Sequence, residues 1–282
     1  MIGAHRQAGR FFTAAGVGSF VREQGTGAPV LCLHGVPACS YLYRKMLPEL
    51  AARGLRGIAV DLPGLGLAQR PADFDYTWTG LGRFAVAAVD ALGLDRFHLV
   101  VHDLGGPVGF ELAAELPDRI RSLTILNTLI EVDRFRRVPV MAPFAWPVLD
   151  RLWLAAMVRP AGVALLRRIA VADRSVPSVE LAAYVDLLKL GDGGRAFLRI
   201  MRGFELTTAK RDRYRAVVRD VPYPVRVVWG AQDPALRLAT LGAQAAAATG
   251  QPLHTVPGRH FPQEDQAPAL AEHVAAVAAQ AG

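Results

Sequence analysis

Three side chains with the chemistry for covalent catalysis each stand just beyond an apolar run. The run Leu99-Val100-Val101 leads into His102-Asp103-Leu104-Gly105-Gly106 and then into a helical pattern. A strand that enters a helix through so tight a turn pushes one side chain outward and leaves room only for small neighbours, as in a nucleophile elbow. Asp103 takes the outward position, Gly105 meets the small-residue demand on one side, and Val101 stands where the second small residue is expected. Taken alone, the segment also fits a helix capped by Asp103, since aspartate suits an N-cap.

Other segments add to the nucleophile reading. His34-Gly35-Val36-Pro37 follows an earlier apolar run, which places the backbone N–H groups of Val36 and Leu104 to face a developing oxyanion. Val227-Val228-Trp229-Gly230-Ala231-Gln232-Asp233 sets a carboxylate beyond a third run, and Val256-Pro257-Gly258-Arg259-His260 sets a histidine beyond the last. Asp233 follows Asp103 by 130 residues and precedes His260 by 27. The order is nucleophile, acid, base, with the acid placed to orient the histidine.

These runs belong to a β-α-β rhythm. Arg10–Ala14 and Gly18–Arg22 read as strands around a turn, and Pro29–Leu33 reads as a strand buried on both faces. Helical spacing over Ser40–Arg53 is stopped by Gly54. Strands at Gly57–Val60, Phe97–Val101 and Ser122–Leu126 alternate with helices at Thr77–Leu92 and Gly105–Leu116. From Thr128 to Val221 the pattern is helical, proline-punctuated and arginine-rich. The rhythm returns with strands Val225–Trp229 and Leu253–Val256 and helices around Leu236–Ala248 and Pro268–Ala279. The expected fold is α/β, a mostly parallel sheet flanked by helices, built from residues 1–127 and 222–282, with residues 128–221 inserted as a helical cap. The three catalytic candidates then fall at carboxyl ends of parallel strands, where such sheets bind ligands.

The 282 residues are 52% apolar, enough for one large core. The net charge of +7 comes from 29 arginines and three lysines (Lys45, Lys189, Lys210) scattered singly or in pairs, without a basic stripe, so no nucleic-acid partner is expected. The apolar stretch Val138–Leu149 is broken by Pro139, Pro143 and Pro147, and Met1–Arg10 lacks the apolar core of a signal peptide. A cytoplasmic protein without stable membrane insertion is expected, and a homo-oligomer is compatible with the sequence. Cys32 reads as a small buried hydrophobe, with no disulfide to Cys39. His5, His254 and His273 lack metal-ligand spacing, and Gly64-Leu65-Gly66 lacks the third glycine of a dinucleotide fingerprint, so neither metal nor cofactor is expected. His34 and His102 suit structural or oxyanion-support roles, His98 a satisfied core position, and Asp61 the ordering of its turn.

In order along the chain, His34-Gly35-Val36-Pro37 with Ser40-Tyr41-Leu42-Tyr43-Arg44-Lys45, Asp61-Leu62-Pro63-Gly64-Leu65-Gly66, the Asp103 segment, Gly230-Ala231-Gln232-Asp233 and Gly258-Arg259-His260-Phe261 resemble one branch of the α/β-hydrolase fold family. That branch holds haloalkane dehalogenases and epoxide hydrolases, and the resemblance covers nearly all of the chain outside the inserted segment. It implies that Asp103 attacks an sp³ carbon of a small apolar substrate, forming an alkyl-enzyme ester. His260, oriented by Asp233, then activates the water that hydrolyses it. A carboxylate suits the attack because it is ionised at neutral pH without help from a base.

The two chemistries need different helpers. Dehalogenases of this type hold the departing halide with two side-chain N–H donors, usually a Trp after the nucleophile and a second from the cap or the His-Gly-x-Pro segment. Here those positions hold Leu104 and Val36, which leaves Trp146 and Trp153 as candidate pocket residues. Epoxide hydrolases need an acid for the opening oxygen, usually two cap tyrosines, and Tyr184 and Tyr214 are the tyrosines of that segment. Their spacing departs from the family pattern, and either also fits as helix packing. Epoxide opening is thus expected ahead of haloalkane cleavage. The reading of another class is a ligand-binding protein that has lost turnover on the same fold.

Overall fold

The structure, a computed structural model, describes residues 1–281. The strands in chain order are β1 (Arg10–Ala14), β2 (Val17–Gln24), β3 (Ala28–Leu33), β4 (Leu55–Val60), β5 (Phe97–Asp103), β6 (Ile120–Thr128), β7 (Val225–Gly230) and β8 (Leu253–Val256). They form one sheet in the order β1-β2-β4-β3-β5-β6-β7-β8. β2 runs antiparallel to β1 and β4, and all other neighbours are parallel. Alternation along the strands feeds two cores: Leu31, Leu33, Leu99, Val101 and Val227 face one, while Val30, Cys32, Val100, Leu126 and Val228 face the other. The continuously apolar runs are the strands covered on both faces.

The helices are α1 (Ile2–Gln7), α2 (Met46–Ala52), α3 (Trp78–Ala91), α4 (Gly105–Glu115), α5 (Leu149–Ala156), α6 (Arg159–Ile169), α7 (Ser178–Lys189), α8 (Arg195–Arg202), α9 (Thr208–Ala216), α10 (Ala243–Thr249), α11 (Pro262–Asp265) and α12 (Ala267–Ala278). Two expected helices are shorter than their apolar spacing. Over Ser40–Arg53 a 3₁₀ turn, Ser40–Tyr43, precedes α2. Pro48 falls in the first turn of α2, the place where its missing N–H is no loss. Around Leu236–Ala248 a π-helical turn, Leu238–Gly242, precedes α10. Helices α1 and α11 have no counterpart in the sequence expectation.

Between β6 and β7 the described residues form helices and turns only, with α5–α9 among them. This block is held down by charge. Lys210 of α9 lies 2.6 Å from Glu111 of α4, and Arg213 lies 3.0 Å from the other oxygen of the same carboxylate. On the far side, Arg44 donates to Glu264 at 2.8 Å and also pairs with Glu180 of α7. Thr77 caps α3 by accepting the Gly80 N–H at 3.1 Å, which fixes Trp78 as the first helical residue.

Candidate active site

Asp103 ends β5 with φ +52°, a left-handed conformation that costs a non-glycine residue energy and persists only when its surroundings enforce it. The surroundings are small by necessity. A Cβ on Gly35 would lie 2.1 Å from the Asp103 Oδ1, and one on Gly105 would lie 2.2 Å from the Leu33 carbonyl oxygen. Val101, the departure from the small-residue pattern, is accommodated from α4: a Cβ on Gly109 would lie 2.4 Å from the Val101 Cγ1.

The Asp103 carboxylate sits among donors. The Val36 N–H donates to its Oδ1 at 2.8 Å, and the Leu104 N–H also faces the carboxylate. Its Oδ2 is 3.5 Å from His260 Nε2, and His260 Nδ1 is 2.8 Å from Asp233 Oδ2. Burial pushes the Asp103 pKa up, but the His260 ring and these donors outweigh it and hold the carboxyl below its ordinary value. For His260, burial disfavours the charged ring, yet Asp233 and Asp103 raise its pKa from 6.5 to about 10.

Asn127, at the end of β6, was not singled out from the sequence. Its Nδ2 donates to Asp233 Oδ2 at 2.7 Å and its Oδ1 accepts the Gly230 N–H at 2.9 Å, so it fixes the acid against β7. Asp233 Oδ1 also accepts the N–H groups of Ala235 and Leu236. His102 Nε2 lies 2.7 Å from the His260 carbonyl oxygen, and the Phe261 N–H reaches the Ala170 carbonyl at 2.7 Å, which ties the histidine loop to the end of α6. His34 Nε2 accepts the Leu62 N–H at 3.0 Å, and Asp61 accepts the N–H groups of Ser40 and Leu67, both structural roles. His98 meets Ser122 Oγ at 2.8 Å. Cys32 and Cys39 are free and buried. Asp61 also approaches His5 and Cys39, with ligand atoms within 4.8 Å, though both Asp61 oxygens already accept backbone hydrogen bonds.

Asp103 and His260 open onto a cavity of ≈ 90 Å³ between the sheet and the inserted helices, several times the roughly 10–15 Å³ that one water needs. Its lining is apolar apart from Trp78, Asp103, Tyr184 and His260. Trp78 is a second residue that the sequence reading missed. It is fully buried, lines the cavity, and its indole N–H has no partner among the described residues.

Of the four helper residues expected from the sequence, Tyr184 reaches the cavity and Tyr214, Trp146 and Trp153 are absent from its lining. Tyr184 lines the cavity with its ring, but its hydroxyl donates to Glu264 and accepts from Arg44 at 3.4 Å. Burial and the Glu264 charge push its pKa well above the ordinary value, which makes it a poor acid. Tyr214 is packed against Phe110 and Trp78, behind the cavity wall, because α9 turns that face toward α4. Trp146, ahead of α5, and Trp153, on α5, are absent from the lining and are 65% and 39% exposed; α5 itself turns Asp150 and Leu154 inward.

A family model described as alpha/beta hydrolase fold matches residues 28–267. The chain belongs to the α/β-hydrolase fold family. In sequence this hydrolase is similar to haloalkane dehalogenase 2 of Mycobacterium tuberculosis, 30% identical over 256 residues that cover 86% of this chain and 85% of that protein. The haloalkane dehalogenase of Mycobacterium marinum is 33% identical over 258 residues, covering 88% and 84%. Among solved structures, Cfl2 of Burkholderia cenocepacia superposes with a TM-score of 0.80 at 25% identity, covering 94% of this chain and 93% of that one. A mutant epoxide hydrolase of Vigna radiata shares the fold with a TM-score of 0.74 at 22% identity, covering 96% and 98%.

Proposed function

We propose that this hydrolase displaces a leaving group from an sp³ carbon of a small apolar substrate through an ester on Asp103. The observation that carries the reading is the Asp103 carboxylate itself, ionised in an apolar cavity with one oxygen on the Val36 N–H and the other facing His260. Oδ2 attacks the carbon, and the bond to the leaving group breaks with its electron pair. Oδ1, already among the backbone donors, becomes the ester carbonyl oxygen. With the Asp103 charge gone, His260 releases its extra proton to solvent, and Nε2 of the neutral ring takes a proton from water whose hydroxide adds to the carboxyl carbon. The resulting oxyanion is held by the Val36 and Leu104 N–H groups. Collapse releases the alcohol, which takes the proton back from His260.

The leaving group decides the substrate class. An opening epoxide becomes a strongly basic alkoxide that needs a proton, and Tyr184 and Tyr214 have their hydroxyls turned to other tasks or places. A halide leaves as a stable anion and needs only N–H donors. Trp78 lines the cavity and its buried indole N–H is unpartnered, and the two relatives described above, at 30% and 33% identity, are named haloalkane dehalogenases. Haloalkane hydrolysis is therefore the reading favoured here. Epoxide opening is the second, favoured by the side chains of Leu104 and Val36, which offer no N–H to a halide. The inserted helices act in either case as a cap that excludes water and strips the carboxylate of hydration.

The His260→Gln variant tests the choice, because it makes the ester but does not hydrolyse it. Mass spectrometry after exposure to a mixture of 1-bromoalkanes and 1,2-epoxyalkanes should find an alkyl group on the peptide that contains Asp103. A hydroxyalkyl adduct would favour the epoxide reading, and no adduct from either class would exclude both.

A further inference from the structure

The segment from Met141 to Val158 presents apolar side chains both to the cavity and to solvent. Inward, Met141, Phe144 and Met157 line the cavity. Outward, α5 turns Leu149, Leu152 and Trp153 to solvent at spacing i, i+3, i+4, which is one helix face. A stripe with that spacing normally packs on a core. Trp146 and Val148, each 65% exposed, extend the same surface ahead of the helix, and nothing among the described residues covers it. A contiguous exposed apolar patch of this kind marks an interaction site.

Beside the patch lies a cationic groove. Arg151 of α5 faces Lys189, Arg195, Arg199 and Arg202 across it, and Asp192 is the one acidic side chain of its lining. Arg151 and Arg195 have no ion-pair partner among the described residues. An exposed apolar patch with two tryptophans, flanked by arginines, matches the two layers of an anionic bilayer surface. Headgroup phosphates meet the arginines while the indoles and leucines enter the interface. The net charge of +7 adds attraction at longer range. A second copy fits less well, because an isologous contact would bring this cationic groove close to its own duplicate.

We propose that Trp146, Val148, Leu149, Leu152 and Trp153, with the adjoining arginine groove, dock this hydrolase onto an anionic phospholipid bilayer. The attachment is peripheral, since no helix among the described residues is long and apolar enough to cross a membrane. The cavity wall is the inner side of the same segment. If the Asp103 reading holds, a substrate dissolved in the bilayer enters from the docked side.

Vesicles of phosphatidylcholine with phosphatidylglycerol, carrying brominated acyl chains, test the docking without any turnover. Trp78 and Trp229 are fully buried, so quenching reports Trp146 and Trp153. Quenching and a blue-shifted emission are expected with these vesicles, and both should weaken with added salt or with phosphatidylcholine alone. The Leu152→Ser/Trp153→Ser double variant should lose vesicle affinity by about 10-fold or more, and Arg151→Gln/Arg195→Gln by a similar factor. Thermal unfolding checks that both variants remain folded. Three results would each overturn the proposal: no quenching at low salt, affinity unchanged in both variants, or a sedimenting dimer that the Leu152→Ser/Trp153→Ser variant dissolves. The last would assign the patch to a second copy, and none of the three bears on the Asp103 ester.

Discussion

In the proposed reaction two demands oppose each other at Asp103: the side chain must be buried to escape hydration, yet ionised to attack. The His260 ring and the Leu104 N–H reconcile them by holding its pKa down, while the Val36 N–H hydrogen-bonds Oδ1. In the proposed reaction the same contacts then serve the second step. Esterification removes the Asp103 charge, so His260 loses one of the two carboxylates that raise its pKa and moves toward the neutral ring a general base requires. Trp78 is the other residue on which the chemistry is staked. Trp78→Phe keeps an aromatic ring in the cavity wall and deletes the N–H. If that N–H meets the departing halide, alkylation by 1-bromoalkanes should slow about 10- to 100-fold, the usual worth of a hydrogen bond to a charged group. Stopped-flow alkylation in the His260→Gln background measures it, and an unchanged rate removes Trp78 from the site. The grouping of Asp103, Asp233 and His260 was legible in the sequence because each stands at or shortly beyond the end of an apolar run. Trp78 and Asn127 were not, because one matters through a hydrogen bond it lacks and the other through contacts across neighbouring strands.

The elbow works as a joint between β5 and α4, and its fit is shared between them. The sequence flags Val101 as out of pattern, but the compensation lies eight residues on, where Gly109 leaves room for the valine methyl. Gly109→Ala should destabilise the fold by about 1–3 kcal/mol through overpacking. Adding Val101→Ala to Gly109→Ala should recover part of that loss, since the two residues share one space. Urea unfolding of the two single variants and the double variant measures the coupling, and additive losses would show that the two positions do not share it. The inserted helices were the least legible elements. Their spacing announces helices but not which face turns inward. Tyr184 and Tyr214 therefore passed as proton donors although one hydroxyl serves Glu264 and the other lies behind the wall. Trp146 and Trp153 passed as pocket residues because their type suits a halide donor, but Trp146 precedes α5 and Trp153 lies on its solvent face.

Across the whole molecule, the parallel sheet was legible because strands buried on both faces have little choice but to be apolar throughout, and the helices between them show the longer period. Its eight-strand order brings residues far apart in the chain to one edge of the sheet, at the ends of β3, β5, β6 and β7 and just beyond β8. That convergence is also a stability device. His260 is raised from 6.5 to about 10 in the folded chain, so its pairing with Asp233 and Asp103 contributes fully below pH 6.5 and is lost as pH rises toward 10. Melting temperatures should fall across that interval in the parent chain and fall less in His260→Gln, and parallel curves would show that the histidine does not carry the effect. The covalent role of Asp103 is tested most directly by one turnover in ¹⁸O-labelled water, with enzyme in excess over the substrate class that the His260→Gln trap retains. An unlabelled first product, its new oxygen drawn from Asp103, and ¹⁸O in the Asp103 peptide are expected. Label in the first product with none in that peptide would contradict it.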